Sequence, residues 1–484
     1  MEPEHRIAEL EAELAAKDAQ IAAQAARITE LESRVEALLR QVAELTERLG
    51  RHSGNSNLPP SSDPPSARGQ RPGKRDKGKR RRGGQPGHRG SRRAAVPPER
   101  VDDIVDFYPE HCEHCSEALP RTPDPQARRY QYTELPAFEP HTTEYRRHCV
   151  GCPRCGGKTL APYAPTEIPR SPFGPRLMSA VALVTGVYNL SRRKAVSLCS
   201  DLLGVRISLG AVSQVEGRVS EAVVPVVEEA CARVLHAQVK HTDGTSWLQA
   251  GVMLSLWTIA TACATVFKIV RDGSAETLKP LFGALRGILV SDRATALNFW
   301  AMERRQICWA HLLRKFVSFA ERDGPAGQIG RELLEYTGIL FEYWTDHRQG
   351  TLSRDTLRVW MAPLREQFEA LLERAVRAGI TGVSGSCADM LKHRQALWTF
   401  VEHEGVEPTN NHAERELRSF VLWRKRSFGT KSERGNRFAE RLMTVAHTAR
   451  KQGHNVLELL TACCVAQRDG GTHPSLFADS AAAA

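Results

Sequence analysis

The chain has 484 residues, 41% of them hydrophobic, with a formal net charge of +11 and a pI of about 9.2. That length and apolar content exclude a small disulfide-stapled scaffold and allow two or three domains with a sizeable core. No N-terminal stretch resembles a signal peptide and no run approaches the roughly 18 to 20 apolar residues of a membrane span, so a cytoplasmic protein without membrane contact is expected. The charge is concentrated. From Arg68 to Arg93 twelve Lys and Arg face one acid, Asp76, an excess equal to the whole net charge. Such a run points to a nucleic-acid partner.

From Ile7 to Leu49 apolar residues recur at alternating steps of three and four: Ile7, Leu10, Leu14, Ile21, Ile28, Leu31, Val35, Leu38, Val42, Leu45 and Leu49. The spacing predicts a parallel two-stranded coiled coil over residues 1–50, hence a homodimer, with Lys17 and Gln24 as polar seam positions. The rival is an intramolecular helical hairpin. Residues 51–100 are dominated by Gly, Pro, Ser and positive charge. They predict a flexible basic arm on which Lys79, Arg80, Arg81 and Arg82 neutralise DNA phosphates. A solvated linker is the alternative.

Residues 101–165 carry Cys112-Glu113-His114-Cys115 and Cys149-Val150-Gly151-Cys152-Pro153-Arg154-Cys155. In a reducing compartment clustered Cys-x-x-Cys pairs indicate metal before disulfide, and four thiolates close a tetrahedral Zn2+ shell that stabilises a module with little core. Cys112, Cys115, Cys152 and Cys155 are the assigned ligands; Cys149 with Cys152 is the rival second pair. Residues 166–235 read as helical. Ser191 caps one helix, Gly204 breaks it and Ser208 caps the next. That pattern fits a helix-turn-helix DNA-binding segment with Ser213, Gln214 and Arg218 facing a major groove, or else a plain helical bundle.

In residues 236–311 an apolar run ends at Asp243, two β-branched runs follow at Val252–Ile259 and Ala264–Val270, and a helical stretch covers Ala275–Leu285. A further run, Gly287–Ser291, delivers Asp292, and a strand at Arg305–Trp309 leads to His311. Three strands, a helix and a fourth strand are the order of a ribonuclease-H-like α/β core, with Asp243 and Asp292 on adjacent strand ends. Residues 312–404 predict an all-helical insertion. Residues 405–470 complete the core with Glu414 at a helix start, followed by Arg415 and Arg418 and by Arg424, Lys425 and Arg426 among aromatics, cations suited to phosphate. Residues 471–484 are expected to form a disordered tail. The fold class is therefore multidomain α+β. Three converging carboxylates repel one another unless an oxygen-seeking cation, Mg2+ or Mn2+, joins them.

At these residues the chain resembles a known family. Thr242-Asp243-Gly244-Thr245, Val290-Ser291-Asp292-Arg293, the block from Cys308 to Phe316 and Thr409-Asn410-Asn411-His412-Ala413-Glu414-Arg415 look like the catalytic-domain motifs of the insertion sequence 66 family of DDE transposases. Asn55–Asp63 and Gly83–Gly90 resemble the same family, so the likeness covers nearly the whole chain. It implies a bacterial, nucleoid-associated enzyme that cuts the ends of its element and joins them to target DNA, with Asp243, Asp292 and Glu414 holding the metal. It also implies double-stranded terminal inverted repeats as substrate, a paired-end complex built by the dimer, and accessory proteins from the same element. His311 is placed near the active site, against a phosphate or the attacking water; a core histidine is the alternative. One departure stands out, because the family usually has Asp-Glu-Thr where this chain has Asp243-Gly244-Thr245. A metal-dependent nuclease without strand transfer and a dimeric sequence-specific DNA-binding regulator remain the competing functions.

Overall fold

A computed structural model describes residues 3–52, 54–56, 95–162, 169–283 and 285–477. Lys79, Arg80, Arg81 and Arg82, the cations expected on the basic arm, lie outside the described residues, as do 478–484 of the expected tail. Helix α1 (Pro3–Leu49) is one uninterrupted 47-residue helix, not a hairpin. Its apolar seam, including Ile7, Leu14, Ile28, Leu31 and Leu38, is exposed along its length. Residues 95–162 contain a small antiparallel pair, β1 (Cys149–Gly151) and β2 (Lys158–Leu160), and almost every side chain there faces solvent.

Four helices follow: α2 (Pro175–Ala182), α3 (Arg192–Leu203), α4 (Leu209–Ala222) and α5 (Val224–His236). Their ends follow local chemistry. Ser191 Oγ accepts the Lys194 amide, Gly204 closes α3 at φ +64°, and Ser208 Oγ accepts the Ala211 amide.

The chain then builds the five-stranded sheet: β3 (Val239–Gln249), β4 (Val252–Ala260), β5 (Thr265–Val270), β6 (Ile288–Ser291) and β7 (Arg305–Ile307), with α6 (Ala275–Phe282) between β5 and β6. The spatial order is β5-β4-β3-β6-β7; β3, β4 and β5 form an antiparallel meander, while β6 and β7 run parallel to β3. The β3–β4 hairpin turns on Ala250 and Gly251, both at positive φ, the two-residue turn whose twist matches the strands it joins. After the sheet come α7 (Trp309–Ala320), α8 (Gly324–Arg348), α9 (Arg354–Arg377), α10 (Ser384–Lys392), α11 (Arg394–Leu397), α12 (Thr399–Glu402), α13 (Asn411–Ser427), α14 (Glu433–Lys451) and α15 (Val456–Asp469).

Two apolar clusters hold the sheet, the first of them reaching both faces of the β3–β5 meander, since neighbouring Leu256 and Trp257 both belong to it. Val181, Val212 and Val226 from α2, α4 and α5 pack with Trp247, Leu256 and Phe267 of the sheet and with Phe420, Leu442 and Leu460 of α13 to α15. The other cluster joins Val290 and Ile307 to Trp309, Phe316, Leu333, Phe368 and Phe400 of the long helical stretch. Leu289 belongs to the first and Val290 to the second, as strand alternation requires. Among the described residues no helix is long and apolar enough to cross a membrane.

Candidate functional site

The three singled-out carboxylates come from three different elements. Asp243 was expected at a strand end, but β3 runs on to Gln249 because β4 pairs with it from His241 to Gln249. What stops near Asp243 is the other neighbour. β6 pairs with β3 through Val239↔Ile288 and His241↔Val290. Carried two residues further, that register sets Asp292 level with Asp243 on parallel chains about 4.8 Å apart.

The loop carrying Asp292 is held by its backbone. Arg305, fully buried, donates to the Asp292 carbonyl at 2.9 Å, the Ala294 carbonyl at 3.2 Å and Asn298 Oδ1 at 3.0 Å. Arg293 pairs with Asp389 of α10 at 2.7 Å. The Asp292 carboxylate itself accepts only the nearby Ala294 amide, at 3.0 Å, among its recorded bonds.

Glu414 sits in the first turn of α13, and Asn410 fixes where that helix begins. The buried Asn410 side chain donates to the Thr242 carbonyl at 2.7 Å, one residue before Asp243, while its amide donates to Cys308 Sγ at 3.1 Å. The Trp309 amide donates to the Pro408 carbonyl at 2.8 Å. Two residues beyond Glu414, Glu416 faces inward and ties α13 to α14 through Lys451 at 3.0 Å and through His447. Burial opposes its charge, but bonds from His412 and His447 and the Lys451 cation hold it well below the usual carboxylate range. The far end of α13 returns to the same strand. Arg424 donates to Thr245 Oγ1 at 3.1 Å and to Ser246, and Thr430 pairs with Leu248 and Ala250.

Around Glu414, His311 Nδ1 lies 3.6 Å from Oε1 and Arg314 Nη2 3.6 Å from Oε2. Glu414 Oε1 and His311 Nδ1 are sealed from solvent without a hydrogen-bond partner among the described residues. Burial holds His311 below its ordinary value, partly offset by Glu414. Burial also pushes the Asp243 carboxyl up to about 7, and the charges of Asp292 and then Glu414 push in the same direction. Mutual repulsion and an orphaned carboxylate oxygen suit these residues to a divalent cation, which removes both costs.

Asp243 makes the metal-free fold sensitive to pH. Its folded value lies above the ordinary 3.8, so without metal the folded state keeps a proton that the unfolded chain has lost. That contribution is complete below about 3.8 and vanishes as pH rises through about 7. Metal-free protein should melt lower at pH 8 than at pH 5, with the difference shrinking in Asp243→Asn; calorimetry of both across this range checks it, and identical pH slopes would count against a shared proton at Asp243.

Gly244 also has a physical explanation. It pairs across the hairpin with Trp257, and a Cβ there would lie 2.8 Å from the buried indole ring. A glutamate at this position collides with Trp257. Gly244→Ala should cost about 1–3 kcal/mol by overpacking, read from the denaturation midpoint, and Trp257→Leu in the same chain should recover much of the loss.

The remaining residues singled out lie elsewhere. Gln214 and Arg218 are exposed on α4, Arg218 reaching the Arg170 carbonyl at 3.4 Å, while Ser213 is engaged by Arg434. Arg415, Arg418, Lys425 and Arg426 are exposed on α13, whereas Arg424 is turned onto β3. The two Cys-x-x-Cys knuckles share one geometry: the Ser116 amide donates to the Cys112 carbonyl and the Gly156 amide to the Cys152 carbonyl, each at 2.8 Å. Amides of His114 and Cys115 hold the Cys112 thiol below its ordinary value, and those of Cys155 and Arg154 do the same for Cys152. Cys149 instead opens β1 opposite Leu160.

Two residues of the site escaped the sequence reading, Asn410 and Arg314. Arg314 carried a usable signal, since it lies three residues after His311 and so on the same helical face. Asn410 stands in the block that resembles the family, but only the fold reveals that its side chain meets Thr242.

Comparison with known proteins identifies a family. A family model described as "Transposase IS66 family" matches residues 170–438, and one described as "Family of unknown function (DUF6444)" matches residues 1–94. An uncharacterized protein, y4hP, of Sinorhizobium fredii (strain NBRC 101917 / NGR234) is 26% identical over 332 residues, covering 60% of this chain and 59% of that protein's length. With the match covering more than half of the chain, all five strands of the sheet and all three carboxylates, the chain belongs to the IS66 transposase family.

Proposed function

We propose that the protein is a DDE-type DNA transposase that cleaves the ends of an insertion element and joins them to target DNA by metal-dependent phosphoryl transfer. The observation that carries this reading is the placement of Asp292 directly after β6, the parallel neighbour of the strand that holds Asp243, with Glu414 on a helix whose start is bonded to the Thr242 carbonyl. The strand order, a three-stranded meander followed by two strands parallel to its first, supports a ribonuclease-H-like core.

In this reading Asp243, Asp292 and Glu414 hold Mg2+ or Mn2+, which when bound neutralises phosphate charge and lowers the cost of ionising the attacking oxygen. The protein's own groups supply placement. Arg305 and Asn410 fix the backbones that carry Asp292 and Glu414, and Arg314 turns Glu414 while offering positive charge at the site. His311, beside Glu414, is the residue suited to contact a phosphate or the attacking water.

DNA is held along its backbone by Arg415, Arg418, Lys425 and Arg426 on α13 and by the basic arm with Lys79, Arg80, Arg81 and Arg82, while Gln214 and Arg218 on α4 face a major groove. Arg424 contributes there only by releasing its bonds to β3. The substrates in this scheme are terminal inverted repeats and target duplex, with accessory proteins of the same element as further partners. Cys112, Cys115, Cys152 and Cys155 bind structural Zn2+, a reading supported by the matching knuckles and by a segment that buries almost no core of its own. The exposed seam of α1 pairs with a second copy in a parallel coiled coil. Wild-type protein should then sediment as a dimer and Leu31→Lys with Leu38→Lys as a monomer; a monomeric wild type at micromolar concentration would refute the pairing.

The test of function is a strand-transfer assay with labelled element ends and Mg2+. Joined product supports transposition. Nicked product alone would indicate a nuclease, and specific binding without either would indicate a regulator.

A further inference from the structure

We infer a second metal site, of softer chemistry, at Cys308, His311 and Glu414: a three-donor pocket for a zinc-class transition metal that shares Glu414 with the acidic triad. The pocket rests on the geometry of these three side chains, and only its consequence for activity rests on the function proposed above.

One ligand atom from each residue, the Cys308 sulfur, a His311 ring nitrogen and a Glu414 carboxylate oxygen, lies within 4.8 Å of the others. His311 Nδ1 and Glu414 Oε1 are 3.6 Å apart, near the roughly 3.4 Å that separates two ligands on a tetrahedral ion with bonds of about 2.1 Å. Both atoms are sealed from solvent and lack a hydrogen-bond partner among the described residues. Two buried polar atoms facing each other without a hydrogen bond are costly unless something bridges them. Cys308 precedes α7 and His311 lies in its first turn, three residues on and so on the same face. Glu414 enters from α13, whose start is tied to Cys308 through the Asn410 amide. Arg314 approaches the other carboxylate oxygen, Oε2, leaving Oε1 turned to the pocket.

The donor set decides which metal. Sulfur, nitrogen and a single oxygen suit zinc, whereas magnesium takes oxygen ligands and leaves the thiol and imidazole unused. Binding forms the metal–sulfur bond and releases the thiol proton to solvent, with no change of oxidation state. Three protein ligands leave a fourth position for water. Because Glu414 cannot serve both sites in full, occupancy here withdraws the third carboxylate from the triad, and zinc should inhibit the magnesium reaction competitively.

Co2+ added to the full metal-free chain tests the site, read by thiolate-to-cobalt charge-transfer absorption and bound cobalt per chain. The four knuckle thiols give their own signal, so the comparison is between wild type and variants. Cys308→Ser and His311→Gln should each lose one equivalent of tightly bound cobalt, Cys308→Ser with its share of charge-transfer intensity, while Asp243→Asn keeps both. Should Cys308→Ser misfold by circular dichroism, His311→Gln carries the test. Equal stoichiometry and spectrum in wild type and the folded variants would overturn the site. Cobalt binding that follows the predicted pattern in a protein that never joins DNA would uphold the site and sink the transposase reading instead.

Discussion

Asp292→Ala is expected to abolish end cleavage and joining, by about 10³-fold or more, while DNA affinity stays within a few-fold of wild type. The separation is possible because the fold uses the backbone of this residue and the chemistry uses its side chain. Arg305 binds the Asp292 carbonyl, which alanine retains. The carboxylate gives up only its bond from the Ala294 amide, worth about 1 kcal/mol. Removing it should also let Asp243 ionise more easily, since Asp292 is the larger of the two charges holding that proton. Labelled element ends incubated with Mg2+, alongside a binding measurement at fixed salt, decide the matter; persistent cutting by the variant would remove Asp292 from the metal site.

Asn410→Leu should produce the second large effect without touching metal or DNA. The substitution leaves the Thr242 carbonyl buried and unsatisfied, at a cost of about 1–3 kcal/mol. It also frees the start of α13, and a shift of about 1 Å in a catalytic group is enough for a loss on the order of 10²-fold in rate. The signature is a fall in turnover larger than the fall in Mg2+ affinity or DNA affinity, with a modest drop in melting temperature. Full turnover in a folded Asn410→Leu protein would show that Glu414 needs no such brace.

Much of the local architecture was legible because it depends on neighbours in sequence. Ser191, Gly204 and Ser208 mark helix ends through bonds that span a few residues, and the apolar runs that form β4, β5 and β6 need only their own composition. The misreadings have a common cause in partners far along the chain. β3 extends past Asp243 through polar Gly244, Thr245 and Ser246 because β4 supplies the pairing and Trp257 covers the glycine. The helices before the sheet look like a separate unit in sequence, yet Val212 and Val226 share one cluster with Trp247 and Phe420. Arg424 reads as one more surface cation and instead spans to Thr245, a contact no periodicity could announce.

Helix α13 is fastened to β3 at both ends, by Asn410 at its start and by Arg424 and Thr430 at its finish. Its outward Arg415, Arg418 and Arg426 stretch over eleven residue steps, about 16 Å of axis, or roughly five nucleotides of a strand lying alongside. Under the proposed contacts, the helix acts as a ruler, indexing the DNA against Glu414. Lengthening it by one turn beyond Arg418 would then move the cut along the element end before it weakened the cutting.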